Sequence, residues 1–366
     1  MVALTINKEI LLPALLTIIG AVDKKQTLPI LNNILFVFEN NTLRLTATDL
    51  EIEMSVKLLC TVSESGSITV PAKKMIDIIR SLEDGTIVIT FAENHAIIQS
   101  YYSKFKIMTL PAVGFPAGEY QNSELEFAIE RTKLIYLLYA THFALAQQDV
   151  RVFLNVLLFE INNQVITTVA TDGHRMAIAK LSIEYICAPQ QLLLPRRGVL
   201  EMLRVLNNIT DAELTITAGK GYFRIHTEIL SFITKLTETR FPMYTRAIPV
   251  NNDKFVIMER DALKRALARI VILANEKSHA VLLHIQPGFL TLIANNQAQE
   301  EAQEQIAALI NGNELKIGVN SNYLLDVLNH LPNGALRLSF STIEQSILIE
   351  MVTNADYQYI IMPMKI

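Results

Sequence analysis

The 366-residue sequence predicts an α+β chain of three related domains, each with two helices packed on antiparallel sheet. Two observations predict it. Three landmarks recur in one order at one period, and within each period a helical apolar pattern gives way to short stretches alternating between apolar and polar residues. The first landmark is a strand, a polar turn and a strand: "LRLTATDLEIEMSV" around Asp49, "ITTVATDGHRMAIA" around Asp172 and "LTLIANNQAQEEA" around Asn295, spaced by 123 and 123 residues. The second is a strand end entering an amphipathic helix, at Pro71, Pro195 and Asn320, spaced by 124 and 125. The third is an extended closing segment: "FKIMTLPAVGFP", "FITKLTETRFPMY" and the terminal "YQYIIMPMKI".

Gly, Pro and Asn cluster in "PAVGFPAGEYQN" and "AIPVNNDK", which sets domains at 1–120, 121–250 and 251–366. Each opens on a helical pattern, at 7–20, 130–145 and 259–274. Pro13 falls inside the first of these and predicts a kink or an early turn. In the second helix of the first domain, Met75, Ile79 and Leu82 share a buried face and Lys73, Asp77 and Arg80 a polar one. The matching polar stripes are Arg197, Glu201 and Arg204, then Asn322, Asp326 and Asn329. The third domain carries its basic residues in its first helix instead, at Lys264, Arg265 and Arg269. Such stripes read either as solvated faces or as one surface that follows a phosphate backbone.

Composition narrows the function. Hydrophobic residues at 51% and charged residues at 19% predict folded domains throughout. No apolar run is long enough to span a bilayer, and the N-terminal stretch, broken by Pro13, reads as neither signal peptide nor anchor. Cys60 and Cys187 stand alone, so no disulfide framework or zinc site is expected, and the cytoplasm is the expected compartment. A net charge of −4 makes any nucleic-acid surface a local one.

The string most like a catalytic motif is "ATDGHR", residues 170–175, where Asp172, His174 and Arg175 invite a hydrolase reading. Its counterparts in the other repeats make it a hairpin turn, and Asp-Gly predicts type I′ geometry. Only the second domain adds His174 and Arg175. No phosphate loop, nucleophile elbow or metal-ligand spacing is present, so neither an enzyme nor a cofactor is expected. At the C-terminus a final strand is expected to about Ile361, and the thioethers of Met362 and Met364 read equally as a tucked-in tail or as part of a pocket for varied peptide side chains.

Together, "TLPILNN" (27–33), "TATDLE" (46–51), "VPAKK" (70–74), "QDVR" (148–151), "VATDGHR" (169–175), "RFPMY" (240–244), "NEK" (275–277), "YLLDVLN" (323–329) and "MPMK" (362–365) make the chain resemble the bacterial DNA polymerase III β subunits, the sliding clamps, over nearly its full length. The resemblance implies a non-catalytic DNA-clamp fold, a head-to-tail homodimer closing as a six-domain ring, and passage of duplex DNA through it without sequence readout. The implied partners are the replicative polymerase α subunit, the clamp loader, translesion polymerases and mismatch-repair proteins, bound through short linear motifs. Work at the nucleoid follows, with no membrane.

The resemblance also assigns residues. A partner-peptide cleft would be formed by Leu154, Thr171, Gly173, His174, Arg175, Met176, Pro242, Arg246, Ala247, Asn320, Tyr323, Ser346, Ile360, Ile361, Met362, Pro363 and Met364. DNA would meet Lys24, Lys25, Lys73, Gln148, Arg151, Phe153, Arg196 and Arg197. At the subunit contact Lys74, Ile78, Phe105 and Ile107 of one copy would meet Ile272, Leu273, Glu300, Glu301 and Glu304 of the other. Val152-Phe153 stands where the family can carry hydroxyl-bearing aromatic pairs, and Met176 and the Lys365-Ile366 ending are further departures. A clamp paralogue retained for drug tolerance, or as a non-replicative binding module, is a second reading.

Overall fold

A computed structural model describes residues 2–22, 28–118, 120, 123–250 and 252–365. The first repeat supplies β1 (Val2–Asn7), α1 (Lys8–Ile18), β2 (Asn33–Glu39), β3 (Thr42–Thr48), β4 (Ile52–Leu59), β5 (Thr61–Val62), β6 (Gly66–Pro71), α2 (Ala72–Ser81), β7 (Thr86–Phe91), β8 (His95–Ser100), β9 (Ser103–Met108) and β10 (Leu110–Pro111). The second supplies β11 (Ser123–Glu130), α3 (Arg131–Tyr139), β12 (Val156–Asn162), β13 (Val165–Thr171), β14 (Arg175–Ser182), β15 (Gln190–Pro195), α4 (Arg196–Asn208), β16 (Glu213–Gly219), β17 (Tyr222–His226) and β18 (Leu230–Lys235). The third supplies β19 (Lys254–Glu259), α5 (Arg260–Ile270), β20 (Ala280–Gln286), β21 (Phe289–Asn295), β22 (Glu301–Ala307), β23 (Leu309–Asn311), β24 (Leu315–Asn320), α6 (Ser321–His330), β25 (Ala335–Phe340), β26 (Ile347–Met351) and β27 (Tyr357–Ile361). The α+β class and the two helices per repeat stand as predicted.

Compactness divides the chain into one unit of Met1–Thr132 with Leu200–Leu236 and another of Lys133–Val199 with Thr237–Ile366. The first holds a five-stranded sheet, β5-β1-β7-β8-β9, and a nine-stranded one, β10-β6-β2-β3-β4-β18-β17-β16-β11. The second holds a nine-stranded sheet, β15-β12-β13-β14-β27-β26-β25-β19-β23, and a four-stranded one, β22-β21-β20-β24. All pairings are antiparallel. Each nine-stranded sheet is made by joining strands of adjacent repeats, β4 to β18 and β14 to β27.

In α1, Leu11, Ala14, Leu15 and Ile18 recur at helical spacing and are buried. Pro13 stays inside this one helix; its missing N–H removes a single bond of the ladder. The 130–145 pattern forms a helix only to Tyr139, where the β-branched Thr141 turns its hydroxyl onto the Leu137 carbonyl (2.9 Å) and a 3₁₀ turn follows at His142–Ala144. Met75 and Ile79 of α2 and Leu82 just after it are buried as predicted, and Lys73, Asp77 and Arg80 are exposed.

A cation, half-buried at Lys8 and Arg131 and buried at Arg260, locks the two helices of each repeat. The first residue of each leading helix donates its backbone N–H to the loop after the second helix, Lys8 to Gly85, Arg131 to Ala212 and Arg260 to Gly334, at 2.8–2.9 Å. The same side chains turn onto the C-terminal carbonyls of that second helix: Lys8 on Leu82, Arg131 on Leu206 (2.9 Å) and Arg260 on Leu328 (3.2 Å). Positive charge thus meets unpaired helix carbonyls and the negative dipole end.

The hairpin turns share one device. Asp49 Oδ1 accepts the N–H groups of Glu51 and Ile52, and Asp172 Oδ1 those of His174 and Arg175. In the third repeat that acceptor is Asn296, bonded by Ala298 and Glu300, so the spacing is 123 and then 124, one more than the sequence alignment on Asn295. The Asp172 turn also departs from type I′: φ is positive at Gly173 alone, and glycine at the first central position is the II′ pattern.

Candidate functional site

Strand pairing at the β14–β27 junction begins the site. Met176 lies opposite Ile360 and Arg175 opposite Ile361, and both apolar partners are buried. Beneath them Val156, Leu158, Val169, Ile178, Leu193, Phe241 and Leu348 form one cluster, with Tyr244 and Ile248 packed against it. The segment after Phe241 runs along this floor, tied by the Tyr244 hydroxyl to Glu160 Oε2 at 2.8 Å. Burial and that carboxylate hold the Tyr244 phenol protonated, well above its usual range.

Above the floor opens a groove of about 530 Å³. Ten expected residues line it: Thr171, Gly173, His174, Arg175, Met176, Arg246, Ala247, Ser346, Ile360 and Met362. Sequence reasoning missed Ile248, Pro249, Val250, Glu344 and Gln345, which arrive on two loops with no motif to mark them. Other expected residues lie outside this lining. Leu154 and Ile361 are core, Asn320 is the N-cap of α6, accepting from Asn322 and Tyr323, and Phe241 rather than Pro242 belongs to the floor cluster. Pro363 and Met364 line a neighbouring cavity of about 800 Å³ with Leu282, Lys316 and Ile343. The tail is tied down by the Met362 N–H to the His174 carbonyl (2.9 Å) and the Met364 N–H to that of Gly318 (2.8 Å).

Arg175 fixes one end of the groove. Its Nε bonds Asp172 at 3.0 Å, one terminal nitrogen bonds Asp326 at 2.5 Å, and the other donates to the Phe143 carbonyl at 2.8 Å. Its guanidinium carbon lies 4.6 Å from the Tyr323 ring centroid and 5.4 Å from that of Phe143. The His174 ring in turn stacks on Tyr323 at 6.4 Å. Asp172 is therefore spent on Arg175 and on backbone N–H groups, not on the imidazole, and Asp172 and His174 form no relay. Among the described residues no three His, Cys, Asp or Glu side chains come together to hold a metal, and no helix is long and apolar enough to cross a membrane.

The residues expected at DNA differ in their surroundings. Lys24 and Lys25 lie outside the described residues. Lys73 and Gln148 are exposed, the latter with φ at +56°, and Phe153 is half-buried in the 3₁₀ turn Val152–Leu154. Arg151 is clamped by Asp149 through two bonds of 3.0 Å and lies over Gly173. That clamp holds the Asp149 carboxyl down at about 2. Arg196 donates to the Leu145 carbonyl at 3.2 Å, and Arg197 is half-buried and partnered. The polar stripes of α4 and α6 are not plain solvated faces, because Arg204 bonds the Leu16 and Thr17 carbonyls of α1 and Asp326 bonds Arg175.

Of the residues expected at the subunit contact, Phe105 and Ile107 lie on β9, at the edge of the five-stranded sheet, and Glu301 and Glu304 on β22, at the edge of the four-stranded one. Glu300 directly precedes β22. Ile272 is 76% exposed, Leu273 and Ile78 are half-buried and Lys74 is exposed. Glu304 is engaged within its own unit by Arg269, which lowers its pKa.

Three family models match in order: the DNA polymerase III β subunit N-terminal domain at residues 2–119, its central domain at 128–243 and its C-terminal domain at 245–365. The β sliding clamp of Pseudomonas aeruginosa is 40% identical over 365 residues, and that of Escherichia coli K12 38% over 364, each alignment covering 99% of both chains. The crystal structure of the P. aeruginosa β subunit superposes with a TM-score of 0.96 over the whole of both chains at 40% identity. That of the Caulobacter crescentus clamp gives 0.95 at 28% identity, covering 100% of this chain and 99% of the other.

Proposed function

The chain belongs to the DNA polymerase III β subunit family and is a sliding clamp, a non-catalytic processivity factor of DNA replication, and from that premise we propose that the groove beside Arg175 is where it holds its partners. The observation that carries this is the groove's construction. An apolar floor is closed at one end by a guanidinium that four groups fix in place. A short extended peptide can bury apolar side chains on Met176 and Ile360 while its polar backbone meets His174, Arg246 and Ser346. Two thioethers, Met176 and Met362, let the lining adapt to varied anchors. The partners served are segments of the replicative polymerase α subunit, the clamp loader, translesion polymerases and mismatch-repair proteins, at the nucleoid in the cytoplasm. His174→Ala and Met362→Ala should each weaken binding of a labelled peptide carrying leucine and phenylalanine anchors about tenfold, with the melting temperature unchanged. Unchanged peptide affinity in both variants would overturn the assignment.

The strand series supports a closed ring. The fourth strand of one repeat, β4 or β14, pairs with β18 or β27 of the next, the counterparts of β9: Met54 lies opposite Phe232 and Ala177 opposite Tyr359. Continuing the series places Ala302 of β22 opposite the partner's Phe105, Glu301 opposite the partner's Lys106 and Gln303 opposite the partner's Lys104. A head-to-tail contact that closes after two copies gives six repeats around a hole. Lys24, Lys25, Lys73, Gln148, Arg151, Phe153, Arg196 and Arg197 are the side chains we assign to the duplex. A ring replaces affinity with topology, so retention on DNA should survive salt that strips an ordinary phosphate binder. Loaded protein should stay on nicked circular DNA at high salt and leave once the circle is cut; equal retention on both forms would sink the ring.

A further inference from the structure

The groove has a counterpart at the β4–β18 junction, and there the chain fills it. Glu53 opposite Ile233 matches Met176 opposite Ile360, and the next strand brings Tyr222 where the groove has Ser346. The linkers match too: Phe115-Pro116 corresponds to the buried Phe241 and its Pro242, so Tyr120 stands where Arg246 lines the groove. At the first junction the Tyr120 ring packs edge-on against Tyr222, with centroids 5.3 Å apart. The Gly118 N–H donates to Glu53 Oε2 at 2.9 Å. A Cβ on Gly118 would overlap the Tyr120 ring, so only glycine lets the segment fold over this way. Burial raises the pKa of Glu53, with Gly118 and Arg224 opposing, and pushes the Tyr120 phenol up to about 12, as expected of groups withdrawn from water together.

We propose that the β4–β18 junction is a second recognition site, held shut by Tyr120 as an internal ligand, and that its ligand class is an aromatic side chain accompanied by an N–H or ammonium donor for Glu53. The chain supplies in cis, through the Tyr120 ring and the Gly118 N–H, what a partner peptide supplies in trans at the other groove. Of these two junctions the β14–β27 one is open because its linker carries Arg246 where the other carries Tyr120. The inference rests on the reading of the β14–β27 groove as a peptide site for its analogy, while its own geometry is independent.

Tyramine, a phenol ring with an ammonium group, is the probe for calorimetry and thermal shift on the full-length chain. Tyr120→Ala should take one tyramine per chain at least tenfold more tightly than the wild type and Tyr120→Phe, and adding Glu53→Gln should remove most of that gain. Gly118→Ala, which evicts the ring without deleting it, gives the same gain and covers the case in which Tyr120→Ala folds poorly. Wild-type affinity for tyramine in both Tyr120→Ala and Gly118→Ala overturns the proposal. Failure of the groove assignment reads out separately, as labelled-peptide binding that His174→Ala leaves intact, and does not move the tyramine result.

Discussion

Arg175 on β14 and Asp326 on α6 meet at 2.5 Å, so the end of the groove and a helix of the third repeat share one ion pair. The guanidinium is 11% exposed and the carboxylate 41%, and Asp172, at 16%, holds the other edge of the same fork. Removing the arginine leaves two carboxylates facing each other without their shared counter-charge, and the remaining charges then lack compensation. Lysine cannot reproduce a planar fork that serves three acceptors and lies over two rings.

Arg175→Ala is therefore expected to destabilise the fold by about 2–3 kcal/mol, less than a fully buried pair because Asp326 meets solvent. Arg175→Lys should recover under half of that. Urea unfolding with the midpoint and slope compared checks both, and the alanine variant should also lose the labelled peptide.

Behind Arg175 lie His330, stacked on Phe143 at 4.3 Å, and His142, 5.3 Å from His330. Burial lowers both imidazole pKa values, and each is lowered further by nearby positive charge, His330 acting on His142 and Arg175 and Lys264 on His330. The carbonyls of Leu138, Tyr139 and Asp326 and the Asp326 charge oppose this without prevailing. A depressed folded-state pKa means the unfolded chain binds more protons, so stability is lost as pH falls below the unfolded value of about 6.5. The melting temperature should drop by a few degrees between pH 7.5 and 5.5, and the double variant His142→Gln, His330→Phe should flatten that slope. An unaltered slope would remove these two groups as its cause.

The sequence made the triplication legible because apolar periodicity and turn chemistry are local. It also brought His174 and Arg175 forward, since they break the symmetry of the repeats. Other features depend on tertiary placement. Ile248, Pro249 and Val250 join the groove because Phe241 anchors their linker, and Glu344 and Gln345 because β26 follows them. Lys8, Arg131 and Arg260 open helices, where a cation usually faces water and opposes the dipole, yet they are turned across to the far end of a neighbouring helix. The extra residue in the third hairpin, which moves the turn acceptor to Asn296, is visible only once Ala294 is seen opposite Ala302.

The Arg260 lock gives a stability prediction of its own. Its side chain is 10% exposed, bonds the Leu328 carbonyl at 3.2 Å and pairs with Asp261 at 3.2 Å. Arg260→Met keeps the stem but strands a helix-end carbonyl, which costs about 2 kcal/mol. Thermal unfolding should shift down accordingly while peptide affinity is unchanged.

The register derived for the two sheet edges puts a charge test at the subunit contact. Glu301 and Lys106 are both exposed in the single chain, and the proposed register sets them directly opposite across β22 and the partner's β9. Like charges opposite one another in a sheet destabilise it, and unlike charges give a fraction of a kcal/mol each. A symmetric dimer counts the pair twice. Glu301→Lys alone, or Lys106→Glu alone, should weaken dimerisation roughly tenfold in sedimentation at low salt. The double reversal should return most of it, and high salt should shrink all the differences. Glu304 offers the internal control, because its partner is Arg269 of the same chain: Glu304→Lys combined with Lys106→Glu should show no such rescue. Rescue at 304 in place of 301 would mean that the edges meet in a different register, with the ring intact and the derived pairing wrong.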